Sequence, residues 1–488
     1  MNLADPSLLK FGSYINGNWC NNQQHFKVIN PANCEQLASI AEVTDEQLGD
    51  AVEQAKVAQK QWAKLTAKQR SKVLMNWHQL IMDNLDDLAI IMTLEQGKPI
   101  FESKGEITNA ATYIEWFAEQ AKRTYGDVIA SQSDDRRQMT ILQPIGIVSA
   151  ITPWNYPMGM IARKAAPALA AGCSIIIKPS DLTPLSALAL CELSKRAGIP
   201  EGVFNVVVGT NAQAIGEVLT QHPSIRKFSF TGSTKVGKKL LAQCASTVKK
   251  TSLELGGNAP LIVFDDADLD KAVSETMVSK FRNAGQTCVC ANRILVQSGI
   301  YPEFINRLSK QIAKLRLTQG INERTEAVDS RAIGPLIDHT AIKKMHALVK
   351  SAKDQGADIL MGGATAQAKG VNYYQPTLIS NVSNDMHIAQ QEIFGPIASV
   401  LPFETEQQAI EMANATDYGL AAYFFTEDHA RSWRMSEALE FGMIGSNVGI
   451  LTSVQAPFGG VKQSGLGREG SQYGLDDYME MKYICMGV

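Results

Sequence analysis

The sequence predicts an α/β fold of strands and helices laid on parallel sheets and divided between two lobes. Three observations carry that expectation. From about residue 140 strand-like and helix-like segments alternate, and strands separated by helices of that length argue for βαβ units. The alternation restarts near residue 259 and runs to about residue 450, which points to a second α/β lobe. Finally, 488 residues with 45% hydrophobic and 19% charged side chains are globular in composition and too many for one ordinary core.

The elements follow in order. "DEQLGDAVEQAKVAQKQWAKL" has apolar residues at helical spacing and acidic residues in its first turn, and "RSKVLMNWHQLIMDNLDDLAIIMTLEQGK" continues in the same style to a stop at Gly97. The first third is therefore expected to be helical. "TILQPIGIVSAITP" reads as strand, "NYPMGMIARKAAPALAAG" as helix, "CSIIIKP" as strand and "PLSALALCELSKRAG" as helix. "VFNVVVG" is a strand followed by a helix to about residue 221, then "IRKFSFTG" is strand and "STKVGKKLLAQCAS" helix. "APLIVFDDADLDKAVSETMVSKF" and "NRILVQSGIYPEFINRLSKQIAKLRL" open the second lobe. "RRQMTILQP" and the tail "LDDYMEMKYICM" alternate enough to be strands outside both lobes.

Composition excludes several function classes. The formal net charge is −3 and no Lys/Arg block tracks phosphates, so no nucleic-acid partner is expected. "MNLADPSLLKFGSYINGNW" has no basic region ahead of a long apolar core, and "AAPALAAGCSIIIK" is broken by Pro167 and Gly172 before it could span a bilayer. A soluble cytoplasmic protein without membrane contact is the expectation. Eight scattered cysteines are no disulfide framework, and none pairs with a histidine at zinc-ligand spacing, so no metal site is expected.

Several short segments are candidates for chemistry, each with a plainer alternative. "GLGREG" (465–470) fits G-x-G-x-x-G, but no buried strand precedes it, and a surface turn is expected rather than a phosphate cradle. "GSTKVGKK" (232–239) nearly completes a phosphate loop but has Lys239 where Ser or Thr should hold magnesium. The segment still follows a strand and opens a helix, where Thr231, Gly232, Ser233 and Gly237 either face a pyrophosphate or simply cap a helix. Lys178 in "IIIKPS" ends an apolar strand, where ligands of open α/β sheets sit, although lysines at strand ends are commonly solvated. "ITPWNYP" places Trp154 and Asn155 in a rigid turn between prolines, able to present an amide. Glu254 in "LELGGNAP" is either a general base raised by an apolar frame or an exposed edge carboxylate. "NAGQTCVC" leaves Cys288 reachable in a loop, against the usual buried, inert thiol.

The ordered set "PWNYP", "KPSDLTP", "FTGSTKVG", "LELGGNAP", "GQTCVCANR", "EIFGP" and "PFGGVKQSGLGREG" resembles the aldehyde dehydrogenase superfamily over essentially the whole chain. Within it, "NAGQTCVCANR" and "SVQAPFGGVKQSGLGREGSQYG" look like the succinate-semialdehyde dehydrogenases. The resemblance implies an aldehyde dehydrogenase-like α/β fold. A Rossmann-type dinucleotide-binding lobe would take residues 1–122 and 144–254, and a catalytic lobe 255–455. A small β oligomerisation flap with the C-terminal segment would take 123–143 and 456–488, giving homodimers or homotetramers.

It further implies Cys288 as nucleophile, Glu254 as general base and Asn155, with the Cys288 backbone N–H, as oxyanion donors. Trp154, Lys178, Ser180, Asp181, Gly232, Ser233, Gly237, Glu392 and Phe394 would line the cofactor site. Arg163, Arg282 and Ser453 would take the carboxylate of the substrate, which guanidinium grips bidentately. The expected reaction is NAD(P)-dependent oxidation of succinic semialdehyde to succinate through a cysteine thiohemiacetal and thioester, needing no metal. Glutarate semialdehyde or a broader aldehyde range is the alternative, since two arginines cannot count methylenes. A thiol redox sensor without catalysis and a coenzyme A-acylating enzyme are disfavoured by the retained Cys288, Glu254 and Asn155. Asp181 favours NAD by repelling a 2′-phosphate, whereas Lys178 with Ser180 suits NADP; both stay open. Cys288 and Cys290 resemble a redox switch whose strained bridge would be easily reduced; a buried companion thiol is the plainer alternative.

Overall fold

Continuous apolar strands such as "SIIIK" and "APLIV" are buried along their whole length, as strands must be when helices cover both faces of a parallel sheet. In the computed structural model, which describes residues 1–321 and 331–488, they form the centres of two large sheets. The first sheet has eight strands. Its inner five run in the order Phe204–Val206, Ser174–Lys178, Ile147–Ile151, Ile225–Thr231, Lys250–Glu254, all parallel. In chain order that is 3-2-1-4-5, the doubly wound dinucleotide-binding arrangement, and its topological switch lies between Ile147–Ile151 and Ile225–Thr231. The short strand Gly465–Leu466 closes this sheet beside Glu254.

The second sheet has seven strands. Ala291–Gln297 and Ala259–Val263 lie inside it, flanked by Ile397–Phe403 and Ala421–Phe425, and these four run parallel. Outside both sheets Met479–Gly487 pairs antiparallel with Arg136–Pro144 along nine residues, with Val128–Ile129 at the far edge.

Nine helices position the site. In the first third they are α1 (Asp45–Trp62), α2 (Ala67–Asp83), α3 (Leu85–Gln96) and α4 (Ile100–Gln120). Thr44 and Thr66 start α1 and α2 through capping boxes with Gln47 and Gln69. Gly97 ends α3 at φ 95°, as expected. The segment 70–98 is not one helix. Asn84 interrupts it at φ −108°, ψ 17°, its Nδ2 donating to the Leu80 carbonyl at 2.7 Å beside its own backbone N–H. After the first strand of the parallel sheet come α5 (Gly159–Ala171), α6 (Pro184–Arg196), α7 (Ala212–Gln221), α8 (Thr234–Cys244) and, in the second lobe, α9 (Leu269–Phe281).

Two further expectations are corrected. The first third is not only helical, because Tyr14–Ile15 and Asn18–Trp19 extend the first sheet and His25–Ile29 pairs with Gln36–Ala41. "TILQPIGIVSAITP" is two strands in different sheets, divided at Ile145 and Gly146, where Gly146 takes φ 122°.

A buried ion pair ties the first strand's loop to the helical layer. Lys98, at the start of α4, binds the Glu106 carboxylate one helical face away and donates to the Asn155 backbone carbonyl at 2.8 Å. The other Glu106 oxygen accepts the N–H groups of Met158 and Gly159, both at 3.0 Å, at the opening of α5. One carboxylate thus satisfies a cation and two helix-end donors, and the turn 153–158 is clamped between α4 and α5.

Breaking a buried pair by removing one partner strands the other charge and typically costs about 3–5 kcal/mol. Lys98→Met is therefore expected to lower the thermal midpoint and to cut turnover by loosening Asn155. An unchanged midpoint in a melting experiment would show that the pair holds nothing in place.

Candidate active site

The loop that carries Cys288 leaves α9 through three residues of left-handed backbone: Asn283, Ala284 and Gly285, at φ 51°, 54° and 73°. Gly285 is required sterically, since a Cβ there would sit 2.2 Å from the Gly395 carbonyl oxygen. Gly257, three residues after Glu254, makes the other close approach, with a Cβ position 2.4 Å from the Cys288 carbonyl oxygen. The glycines of "LELGGN" and "NAGQ" thus let the base strand and the nucleophile loop lie against each other.

Cys288 lines a cavity of about 980 Å³ together with Glu102, Tyr156, Arg163, Arg282 and Phe458. Burial pushes its thiol up to about 12; Arg163 opposes that shift while Glu392 and Glu254 add to it. The resting group is a thiol.

Glu254 ends the strand Lys250–Glu254 and is buried, with Oε2 lacking any hydrogen-bond partner. Burial first, and then the charge of Glu469, hold its carboxyl well above the usual range, against Lys164, Arg163 and Arg468. Asn155 is buried and its Nδ2 donates to the Gln286 carbonyl at 3.0 Å. A primary amide has two hydrogens, so this bond fixes the side chain and leaves the second for an oxyanion.

The structure corrects the reading of "GLGREG". It is not a surface turn: Gly465 pairs with Glu254, and Glu469 is buried in an ion pair with Lys164 of α5. Lys164 and Glu469 are site residues that motif reasoning did not assign, although Lys164 adjoins Arg163 and Glu469 lies inside the glycine pattern. Lys98, Glu102 and Glu106 were missed as well, since nothing in an α4 written "KPIFESKGE" distinguishes them from an exposed helix face.

The cofactor candidates gather at the carboxyl ends of the first sheet. Lys178 ends its strand, buried; burial lowers its ammonium pKa, opposed by Asp181 and Glu42, and its one hydrogen bond is to the Pro179 carbonyl at 3.2 Å. Asp181 is half-buried beside it, and Ser180 Oγ accepts from Leu182 N. Ser233 is the N-cap of α8, its hydroxyl accepting from Val236 N, and Gly237 is buried one turn on. The Gly232 N–H is not free, because it donates to the Glu254 carbonyl at 3.0 Å. Thr231 Oγ1, at the same strand end, is buried without a partner. Across the cleft, Glu392 accepts from Gly257 N at 3.1 Å, and Phe394, at φ 56°, packs edge-on against Trp154 with ring centres 5.6 Å apart. An orphaned hydroxyl, a weakly held ammonium and an exposed helix N-cap at a sheet switch point suit a dinucleotide.

On the substrate side, Arg163 lies over the rings of Phe458 and Tyr113, at 4.2 and 5.0 Å. Its Nε and Nη1, and the Nε of Arg282, are buried without partners among the described residues. Ser453 is not brought in with them. It is exposed, bonded to Gln455, and the neighbouring Thr452 lines the cavity instead. Cys290 is buried with its thiol turned to the carbonyls of Lys280 and Ala291, at 3.5 and 3.6 Å, and both loop cysteines are free. Among the described residues no group of three or more His, Cys, Asp or Glu is placed to hold a metal ion, and no helix is long and apolar enough to cross a membrane.

A reachable thiol, a buried carboxyl and a fixed amide between a dinucleotide-type sheet and a second α/β lobe define a thiol-dependent oxidoreductase. The chain belongs to the aldehyde dehydrogenase family, whose model matches residues 19–484. It is 51% identical to the NADP-dependent succinate-semialdehyde dehydrogenase GabD of Escherichia coli, with both chains covered completely. It is 50% identical, over the same extent, to a glutarate-semialdehyde dehydrogenase of Pseudomonas putida. A crystal structure described as an E. coli NADP-dependent enzyme superposes over all of both chains, with a TM-score of 0.97 at 50% identity.

Because the thiolate is the nucleophile and the thiol lies far above neutrality, alkylation of Cys288 by the uncharged reagent iodoacetamide is expected to quicken about tenfold per pH unit between pH 7 and 9. Mass spectrometry of the alkylated peptide reads this out; a rate that levels off near pH 7 would mean a thiolate already formed.

Proposed function

We propose that the protein oxidises succinic semialdehyde to succinate with NAD or NADP. The observation that carries this reading is the pair of guanidinium groups, Arg163 and Arg282, with unpartnered N–H groups on the wall of the cavity that also contains Cys288. A buried cation without a hydrogen-bonding partner is costly and fits an anionic ligand. Relatives with similar identity act, by name, on aldehydes that carry an acidic group, a carboxylate in two of them and a sulfonate in a third.

In the first step Cys288 sulfur adds to the aldehyde carbon, its proton leaving toward the solvent-linked cavity. The developing oxyanion meets the second Asn155 Nδ2 hydrogen and the Cys288 backbone N–H. A bound nicotinamide supplies the acceptor for the hydride that leaves the adduct as it becomes a thioester. Glu254 then takes a proton from the water that attacks the thioester carbon, and Cys288 departs as thiolate while the acid is released. Glu254 must be ionised for that step, and the charges of Lys164, Arg163 and Arg468 favour that form. On the cofactor side Lys178, Ser180 and Asp181 would face the adenosine ribose, Ser233 the pyrophosphate, and Glu392 and Phe394 the nicotinamide end with Trp154. Asp181 and Glu42 near Lys178 work against a 2′-phosphate, while the Lys178 ammonium and Ser180 hydroxyl work for it.

We also propose that the three-stranded sheet of Val128–Ile129, Arg136–Pro144 and Met479–Gly487 pairs subunits into dimers or tetramers, as its exposed Val128, Met481 and Tyr483 suggest. The lobes would divide as expected, at 1–122 with 144–254, 255–455, and 123–143 with 456–488. A catalytic thiol needs a reducing compartment, which suits the cytoplasm.

Reduced-cofactor formation from succinic semialdehyde, glutarate semialdehyde and butanal tests the substrate. Arg163→Ala and Arg282→Ala are each expected to raise KM for the acidic aldehydes at least tenfold and for butanal hardly at all, since a charge-assisted bidentate pair lost is worth about 1.5–3 kcal/mol. Equal losses on all three would refute the assignment.

Cys290 is proposed to resolve oxidised Cys288: two-electron oxidation by peroxide and condensation of the two thiols would give a disulfide and water. The present orientation of the Cys290 thiol means that the turn Thr287–Cys290 has to open first. Wild-type enzyme inactivated by peroxide should recover with dithiothreitol, and Cys290→Ala should recover markedly less. Equal recovery would leave Cys290 a buried companion.

A further inference from the structure

The anion site contains a carboxyl group of its own. Glu102, on α4, lines the same cavity as Arg163 and Arg282, half-buried. Its Oε2 accepts the backbone N–H of Asn283, the residue that follows Arg282, at 2.9 Å. Glu102 is thereby held against the loop that carries Arg282, whose charge acts on its carboxyl. None of the chemistry described above uses it, and a negative charge there is the wrong sign for a pocket that binds anions.

We propose that Glu102 is a specificity residue of the substrate pocket: as a neutral acid it donates to the substrate's carboxylate, and as a carboxylate it competes with that carboxylate for Arg282. This rests on the reading of the substrate as an aldehyde bearing an anion.

The charged and titratable groups around it come from four places. Glu106 shares α4 with it, Lys98 lies just before α4, Arg282 acts on it from the loop after α9, and Tyr156 from the turn before α5. Burial raises its carboxyl to about 7, Lys98, the Asn283 N–H and Arg282 pulling downward and Glu106 upward. An anion arriving beside it favours the protonated form, so binding takes up a proton and the affinity for an anionic aldehyde falls as pH rises through 7. An uncharged aldehyde has no such term.

The test is the ratio of kcat/KM for succinic semialdehyde to that for butanal, from pH 6 to 9, in wild type and in Glu102→Gln. Steps common to both aldehydes, including ionisation of Cys288 and Glu254, cancel in the ratio. In wild type the ratio is expected to fall above pH 7, approaching a tenfold drop per pH unit if only the protonated form binds. In Glu102→Gln it should be flat, and at pH 8.5 at least several-fold above wild type, because the amide keeps the oxygen that Asn283 needs and offers N–H to the substrate. Activity on butanal reports whether the variant is folded, and Glu102→Asp, which can still ionise, should keep a falling ratio.

A Glu102→Gln ratio that falls with pH as in wild type would overturn the proposal. So would a ratio lowered at every pH, which would mean that Glu102 only supports the Arg282 loop. A wild type with no preference for succinic semialdehyde at any pH would overturn the substrate reading itself, and this inference with it.

Discussion

Everything catalytic in this chain is arranged around the buried contact of Lys98 with Glu106. It sits where α4, α5 and the turn after the first parallel strand meet, and it satisfies a cation, a carbonyl and two helix-end N–H groups at once. A buried ion pair is weak evidence of net stability, because desolvation offsets most of the attraction. What it supplies here is position. The Asn155 backbone cannot move without losing its bond to Lys98, and Asn155 in turn holds Gln286, two residues before Cys288. The first lobe is thus connected to the reactive loop of the second by hydrogen bonds that also aim the oxyanion donor.

The electrostatics of the cavity follow from the same economy of burial. Burial raises the Cys288 thiol, and burial with the neighbouring Glu469 raises the Glu254 carboxyl, so the charged form of each is disfavoured. Arg163 and Arg282 are among the groups left unsatisfied, and both line the cavity where a carboxylated aldehyde would lie. Charge separation is thereby deferred to the steps that need it: thiolate at addition, carboxylate at hydrolysis, and an anion brought by the substrate.

Some of this was legible in the residues. Strand-helix alternation located the parallel strands closely, because continuous apolar runs bounded by prolines and glycines leave few alternatives. Glu254, Cys288 and Asn155 stand out through the ordered set of motifs that carries them, and the close approaches at Gly257 and Gly285 show why those motifs contain glycines. Less was legible where a side chain's role depends on a distant segment. Lys98 and Glu106 look like ordinary helix-surface charges; Glu469 looked like part of a turn; Ser453 seemed placed for the substrate, but faces Gln455. The N-terminal strands escaped notice because each is short, and what makes them strands is an edge that other parts of the chain provide.

The sequence by itself determined most secondary elements of both lobes, the candidate nucleophile, base and amide, and through the order of its motifs the family. These depend on local pattern, such as periodicity, turn residues and caps, which a few neighbouring residues specify. Only the tertiary structure decided which charges are buried, which are paired and which wait for a ligand. Lys164 with Glu469 is 305 positions apart in the chain, Asn155 with Gln286 131, and Glu102 with Asn283 181. The ionisation of a group depends on what surrounds it in space, and no local pattern contains that information.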